Sequence, residues 1–219
     1  MAFEVTTLAS SNPNYPAALL SKKGQAQFSR ISIIGDPEIL KRHWLGLFCS
    51  VKCPGDLILL TYDLARALRD AGVPVVSGFH SPIEKDCLDF LLRGNQPVVI
   101  CPARSIAKMR IDKSLKENIE RGRVLILSPF EETLKRPTAH SSQLRNQFVG
   151  ALASAVFVAY AEPGGKTEEF CKSVLADGKP LYTFESRYTK TLVDAGAMPI
   201  DRKEFGQWTQ SLKSVAVDI

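Results

Sequence analysis

Seven short apolar runs recur along the chain, and amphipathic stretches with helical period separate most of them. The runs cover residues 31–34, 45–49, 73–77, 97–101, 124–127, 155–159 and 180–184. Most of them are apolar at nearly every position, not at every second one, which is typical of strands covered on both faces. Strands and helices that alternate this often predict a Rossmann-like α/β fold, an open and mainly parallel sheet with helices on both faces.

The same pattern predicts where the helices and the limits of the domain lie. The first helix starts after Cys53-Pro54-Gly55-Asp56 and ends at Gly72, a C-cap signal. Further helices are expected over about 81–93, 113–121, 141–153 and 167–177. We expect an N-terminal extension over 1–29 and the Rossmann-like domain over 30–185. The remainder, 186–219, is expected to be a C-terminal helical extension that packs on the domain through Phe205, Trp208 and Leu212.

Composition excludes several classes of protein. The chain has 219 residues, 45% of them hydrophobic, and its longest nearly apolar run, 149–161, is shorter than the roughly 20 residues that cross a bilayer. The N-terminus lacks the basic and then apolar pattern of a signal peptide. The five cysteines have no repeating spacing, and four of them sit in or beside apolar stretches, as is typical of reduced thiols in the cytoplasm. We therefore expect a cytoplasmic globular protein with no membrane association.

Charge and motifs limit the chemistry further. A formal net charge of +5 and a pI near 9.0 favour polyanionic partners such as nucleic acid or phosphorylated ligands. No Walker loop, Gly-x-Gly-x-x-Gly, Gly-x-Ser-x-Gly or His-Glu-x-x-His pattern occurs. The spacing of Cys49 and Cys53, without a second close pair, does not match a structural zinc site. We expect no metal and no cofactor.

The candidate binding residues follow the strands. Ligands of open parallel sheets bind beyond the carboxyl ends of the strands, where a following helix start offers backbone N–H groups to an anion. The segments after the runs predict phosphate contacts from Ser50, Lys52, Ser77, Gly78, His80, Ser81, Arg104, Gly164, Gly165, Lys166 and Thr167. Phe79 is the best candidate there for base stacking. The alternative, that these residues form ordinary turns and helix caps, stays open.

Several of these segments, read in order, resemble the DNA-processing protein A family (DprA, also called Smf), which belongs to a superfamily that includes the LOG-type phosphoribohydrolases. Residues 71–78 read Ala-Gly-Val-Pro-Val-Val-Ser-Gly, 144–147 contain the family's Arg-Asn pair, and a matching strand follows over 154–159. The resemblance covers about residues 14–185. It implies single-stranded DNA binding, with Arg145 and Asn146 among the contacts, and delivery of a recombinase, and it suggests a homodimer.

The chain also departs from the family pattern. Cys49 replaces the glycine of a Gly-Ser-Arg motif, Glu84 replaces an aspartate, and we expect no C-terminal winged helix. Residues 162–169 resemble the LOG motif Pro-Gly-Gly-x-Gly-Thr-x-x-Glu with one glycine missing. This second resemblance implies an alternative, a nucleotide sensor or a nucleoside-monophosphate phosphoribohydrolase with Arg145 and Glu169 as catalytic residues. A third alternative is a scaffold whose pocket is vestigial.

Overall fold

A single mixed sheet organises the chain. The computed structural model of the protein describes residues 3–20 and 28–214. Within these residues the strands are β1 (Thr6–Ala9), β2 (Arg30–Ile34), β3 (Leu45–Phe48), β4 (Val75–Ser77), β5 (Val98–Ile100), β6 (Val124–Ser128), β7 (Ala155–Val158), β8 (Leu181–Phe184) and β9 (Met198–Ile200). The helices are α1 (Gly55–Ala71), α2 (Pro82–Leu91), α3 (Lys113–Glu120), α4 (Ala139–Leu152), α5 (Lys166–Ala176), α6 (Lys190–Asp194) and α7 (Phe205–Ser214).

The order in which the chain adds strands to the sheet reverses in the middle of the sheet, at β3. The order is β1-β2-β6-β5-β4-β3-β7-β8-β9, and β2 runs antiparallel to both of its neighbours while the others pair in parallel. From β3 the chain builds outward through β4, β5 and β6, and α4 then returns it to β7 on the other side of β3. The carboxyl ends of β3 and β7 therefore flank the topological switch point, where such sheets bind ligands.

Two layers of helices bury the two faces of the sheet. Helices α1, α2, α3 and α7 pack on one face, and α4, α5 and α6 pack on the other together with residues from the N-terminal part of the chain. Side chains alternate between the faces, so that Val75 joins the first core and Val76 the second. Burial on both sides explains the continuous apolar runs, and it confirms the predicted Rossmann-like α/β fold.

The segments outside the predicted domain also contribute to the sheet. β1, from the predicted N-terminal extension, pairs antiparallel with β2, and Tyr15 and Leu19 are buried. β9, from the predicted C-terminal extension, pairs in parallel with β8. Helix α7 packs with buried Phe205 and Trp208 in the first core, and Leu212 is partly buried beside them. Strands β1 and β9 and helix α6 were not predicted, because each spans only three to five residues, too few to show a period.

One local prediction is confirmed by backbone geometry. Helix α1 ends at Gly72, whose φ of 76° is the left-handed conformation of a C-cap glycine. Within residues 3–20 and 28–214, no helix is long and apolar enough to span a membrane.

Candidate functional site

The loops that follow β3 and β7 meet at the switch point. The hydroxyl oxygen of Ser50 accepts a hydrogen bond from the N–H of Glu162 at 3.0 Å, and the N–H of Ser50 donates to the Tyr160 carbonyl at 2.9 Å. Two segments that lie far apart in the sequence are thereby joined into one wall. Between this wall and the starts of α2 and α5 lies a cavity of about 220 Å³.

The structure brings most of the predicted contact residues to this cavity. Eight of them line it: Ser50, His80, Ser81, Arg145, Asn146, Gly165, Lys166 and Thr167. The sequence reasoning missed five others among the described residues, Phe48, Cys49, Val51, Glu84 and Glu162. The cavity therefore lies at the edge of the sheet that the strand pattern predicts.

Arg145 is the buried charge of the site. It lies two turns into α4 and only 5% of its surface is exposed. Its Nε donates to the Asn146 side-chain oxygen at 2.8 Å, and its Nη1 donates to the Cys101 carbonyl at 3.3 Å. Burial lowers the pKa of Arg145, and the nearby Glu84 carboxylate opposes this shift. In the described part of the chain no carboxylate forms an ion pair with this guanidinium.

The beginning of α4 holds Arg145 in place. Ser141, one turn earlier on the same helix face, donates its hydroxyl to the Ala103 carbonyl at 2.8 Å. It also forms a capping box with Thr138, whose Oγ1 accepts the Ser141 N–H at 3.0 Å. Ser141 and Arg145 thus anchor one helix face to the loop that follows β5.

Gly78 lies beneath the guanidinium and does not line the cavity wall. A Cβ atom at this position would lie 1.4 Å from Nη1 and 2.1 Å from Cζ of Arg145. Because only glycine leaves this space, Arg145 can pack flat against the backbone after β4. Gly78 therefore shapes the site through Arg145.

The Glu84 carboxylate accepts hydrogen bonds from several backbone N–H groups near the segments for which the sequence predicts contacts with an anion. Its carboxylate accepts the N–H of Cys49 at 3.0 Å, of His80 at 2.8 Å and of Ser81 at 3.2 Å. In return the Glu84 N–H donates to the Ser81 hydroxyl at 3.2 Å, which completes a capping box at the start of α2. The start of α2 is thus closed by an internal carboxylate. The Ser-x-x-Glu spacing of residues 81–84 is the sequence signal that could have revealed this.

The start of α5 is open in comparison. Its N-cap residue is Gly165, which has no side chain to cap the helix. Within the described residues, no hydrogen-bond acceptor is assigned to the N–H groups of Lys166 and Thr167, and both residues line the cavity. The N–H of Gly164 is taken by the Glu168 carboxylate at 3.0 Å, and Gly164 lies outside the lining. One helix start therefore remains available to an anion.

Besides Gly78 and Gly164, four other predicted residues lie outside the cavity lining. Lys52 is 85% exposed in its side chain and stands 3.9 Å from the Glu162 carboxylate. The Ser77 hydroxyl is buried and accepts the N–H of Phe79 at 3.2 Å. Arg104 follows β5 and, like Glu169 on the exposed side of α5, is absent from the lining.

Phe79 is not available for base stacking. It adopts a φ of 45°, and the residue is only 5% exposed because it packs into the first core. The expectation of a stacking role at this position is wrong, because the turn after β4 directs the ring into the protein. In the described residues, no three His, Cys, Asp or Glu side chains cluster in a way that could hold a metal ion.

Fold and site together define a class of protein, a Rossmann-like α/β protein with a buried arginine and an open helix start at its topological switch point. The family model of DNA recombination-mediator protein A matches residues 6–215, and the chain therefore belongs to this family. The resemblance seen in the sequence is confirmed, and the match extends beyond residues 14–185 on both sides. No curated protein matches the chain.

Solved structures of the family share the fold. DNA processing protein A from Helicobacter pylori, whose structure was described for its single-stranded DNA binding mode, aligns with a TM-score of 0.77 at 20% identity over 98% of each chain. The protein of the same name from Streptococcus pneumoniae aligns with a TM-score of 0.74 at 15% identity, covering 90% of this chain and 71% of the other. The molybdenum cofactor binding protein from Rippkaea orientalis is more distant, with a TM-score of 0.55 at 8% identity over 78% of this chain and 98% of the other.

Proposed function

We propose that the cavity at the switch point binds a backbone phosphate of single-stranded DNA. The observation that carries this proposal is the Arg145 guanidinium, which is buried and lines the cavity without a carboxylate partner among the described residues. An unpaired buried charge is costly, so a site that keeps one is suited to an anionic ligand. Arginine also matches the geometry of phosphate through its planar fork of donors.

The start of α5 supplies the complementary donors. The N–H groups of Lys166 and Thr167 and the positive end of the helix dipole favour a negative group at this position. The exposed Lys166 side chain adds a positive charge. Arg145 comes from α4 and Lys166 from the start of α5, and both line the cavity, so a phosphate bound there would have donors from two helices.

The dimensions of the cavity favour a polymer over an enclosed small molecule. Its volume of about 220 Å³ lies below the roughly 300–1,000 Å³ of pockets that enclose drug-sized ligands. One sugar-phosphate unit fits this space, and the rest of a strand would run along the open edge of the sheet. The phosphoribohydrolase alternative loses support, because Glu169 is exposed and does not line the cavity with Arg145.

Sequence preference should be weak. Among the described residues that line the cavity, Phe48 is the one aromatic residue, and it is only 3% exposed. Phosphate contacts position a strand without reading its bases, whereas aromatic platforms and base-edge contacts add preference. We expect oligonucleotides of different sequence to bind with similar affinity.

Fluorescence anisotropy with a labelled oligothymidylate at low and high salt tests the proposal. Lys166→Gln removes a charge from an exposed side chain and should weaken binding about tenfold, as expected for one charge-assisted contact. It should also reduce the slope of log affinity against log salt by about 0.7. Arg145→Gln should weaken binding at least as much.

Arg121→Gln is the matched control, because it removes one positive charge from an exposed residue at the C-terminal end of α3. This position lies at the opposite edge of the sheet and should leave binding unchanged. Equal weakening by the control and by Lys166→Gln would refute a defined site. Displacement of the oligonucleotide by a nucleoside monophosphate as readily as by unlabelled oligonucleotide would favour the small-nucleotide alternative.

Family membership extends the proposal to the role of the protein in the cell. We infer a function in DNA uptake or recombination in the cytoplasm, with a recombinase as partner and a homodimer as the assembly. Light scattering of the purified protein tests the dimer. Co-purification with a recombinase on single-stranded DNA, compared with Lys166→Gln, tests the partner.

A further inference from the structure

Strand β1 leaves one edge of the sheet open within the described residues. In this part of the chain it is the outermost strand, with β2 as its neighbour. The N–H of Ser10 donates to the Ser29 carbonyl at 3.2 Å in the register of the two strands, so residues of even number in β1 exchange hydrogen bonds with β2. The N–H and C=O of Thr7 therefore point away from β2, toward the open edge.

The two edges of the sheet differ in what they offer to another strand. Proline, which lacks an N–H, and charged side chains protect an edge strand against pairing. At the opposite edge β9 contains Pro199, whereas Thr6–Ala9 of β1 contain neither a proline nor a charge. β1 is therefore the edge at which an added strand can pair.

An apolar cavity, which we call the edge groove, lies beside this edge. Its volume is about 270 Å³, and its apolar lining consists of Phe3, Val5, Ile34, Ile106, Met109 and Ile111. Val5 packs against the first core and Leu8 belongs to the second, so the Thr7 side chain lies on the same face as Val5. A strand paired with Thr7 would therefore place every second side chain on the face that carries the edge groove.

Two lysines add positive charge to the edge groove. Lys108 and Lys116 line it, and no carboxylate of the described residues does. Lys108 is exposed in a turn that the N–H of Met109 closes by donating to the Ile106 carbonyl at 3.0 Å. Its φ of 59° is rare for a residue other than glycine, and such conformations cluster at ligand-binding positions. The edge groove therefore combines an apolar lining with two cationic side chains.

The positive charge around the edge groove is concentrated in one segment. Residues 104–116 contain five cationic side chains and one carboxylate, a net charge of +4, where the whole chain has +5. The carboxylate, that of Asp112, caps α3 by accepting the N–H of Leu115 at 2.9 Å. Among the described residues, Lys116 alone of the five cations has an ion pair, with Glu120 at 3.7 Å. This excess favours an acidic partner over a second copy of the chain, whose own basic segment would be repelled.

A neighbouring cavity limits where acidic residues of a partner can lie. It adjoins Thr7 and Ser32, and Arg30, Glu131 and Glu132 also line it. Its two carboxylates repel acidic groups. The acidic end of a bound segment therefore belongs at the Phe3 end of the edge groove, away from Ser32.

We propose that β1 and the edge groove form a docking site for an extended acidic segment of another protein. The segment pairs as an added strand with the open edge at Thr7, and two apolar side chains at alternate positions enter the groove. Acidic residues at the end of the segment beside Phe3 contact Lys108 and Lys116. This site goes beyond the proposed function, because it shares no lining residue with the cavity at the switch point.

Fluorescence anisotropy of two labelled peptides with the full-length chain tests the proposal, one peptide for each strand direction. The peptides are Glu-Glu-Glu-Ile-Thr-Val-Thr and its reverse, Thr-Val-Thr-Ile-Glu-Glu-Glu. At least one of them should bind saturably with one peptide per chain. Replacement of its glutamates by glutamine should weaken binding severalfold, as expected when exposed charge pairs are lost. Saturable binding by neither peptide would overturn the proposal.

Substitutions at Thr7 and Lys108 locate the peptide. Thr7→Pro removes the N–H at the open edge and leaves the hydrogen bonds between β1 and β2 in place, so it should abolish peptide binding. Thr7→Ala, the matched control, keeps this N–H and should bind as the wild type does. Lys108→Gln should weaken binding about threefold, whereas Lys203→Gln, an exposed position after β9, should leave it unchanged. Equal binding by Thr7→Pro and Thr7→Ala would refute strand addition.

Amide hydrogen exchange of the wild type gives a second test that does not depend on the folding of a variant. The Thr7 amide should exchange more slowly when the peptide is bound, and unchanged exchange at saturating peptide would overturn the proposal. Peptide binding that is lost in Lys166→Gln and unchanged in Lys108→Gln would place the peptide in the cavity at the switch point, and would overturn it as well. The oligothymidylate titration tests DNA binding separately, so the two proposals can fail independently.

Discussion

Replacement of Gly78 by alanine tests whether the buried Arg145 side chain needs a glycine at this position. The new Cβ would lie 1.4 Å from Nη1 of Arg145, whereas ordinary contacts begin at 3.4 Å, so the guanidinium must move by about 2 Å. Such a shift breaks the hydrogen bonds from Nη1 to the Cys101 carbonyl and from Nε to Asn146.

The magnitude follows from these two bonds. Hydrogen bonds of a charged group contribute about 1.5–3 kcal/mol each, and water from the open cavity replaces part of them. We expect the free energy of unfolding to fall by about 3 kcal/mol and the Tm to fall by about 6–12 °C for a chain of this size. The affinity for single-stranded DNA should fall as far as it does in Arg145→Ala.

Urea unfolding and the anisotropy titration measure both effects. Gly55→Ala is the matched control, since nothing lies within 4 Å of the new Cβ at the start of α1, and it should be neutral or slightly stabilising. A double-mutant cycle gives the sharpest test, because Gly78→Ala should cost almost nothing once Arg145→Ala has removed the obstructing group. Wild-type stability and DNA affinity in Gly78→Ala, or additive effects in the cycle, would refute the reasoning.

Three further perturbations test other contacts. Glu84→Gln should lower the free energy of unfolding by about 2–3 kcal/mol in urea, because the amide turns a donor toward the backbone N–H groups that the carboxylate accepts, and an unchanged midpoint would contradict this. The hydrogen bond to Asp86 raises the pKa of Tyr62 to about 12 from 10.0. The contribution of this hydrogen bond to the free energy of unfolding is therefore complete below about pH 10 and is lost as the pH rises through about 12. In Tyr62→Phe the urea midpoint should therefore fall less steeply with pH over that range. A pH dependence equal to that of the wild type would argue against the contact. Lys179→Met should lower the Tm by several degrees, since the ammonium donates to three carbonyls at the end of α4, and calorimetry at neutral pH measures it.

Local sequence was sufficient where a pattern repeats over neighbouring residues. The runs 124–127 and 155–159 are apolar at nearly every position, and they became strands with one core on each face. Gly72 marked the end of α1 because a left-handed cap favours glycine whatever surrounds it. The strand-helix alternation also identified the carboxyl edge of the sheet, and Lys166 and Thr167 line the cavity there.

Contacts between distant residues decided the rest. Glu84 lies 35 positions from Cys49, so its local spacing could show the cap on α2 but not the N–H at the end of β3 that it also accepts. No sequence pattern near Gly78 predicts that the Arg145 guanidinium from α4 packs against it, or that the Phe79 side chain is buried in the core.

The amino-acid sequence by itself determined the class of fold, the family and the edge of the sheet where the cavity lies. These depend on periodicity and short motifs that act over a few residues. Tertiary structure alone decided which helix start stays open and which buried arginine, among the described residues, forms no ion pair. Those properties depend on which side chains come within hydrogen-bonding distance when the elements pack together. No local sequence pattern predicts this.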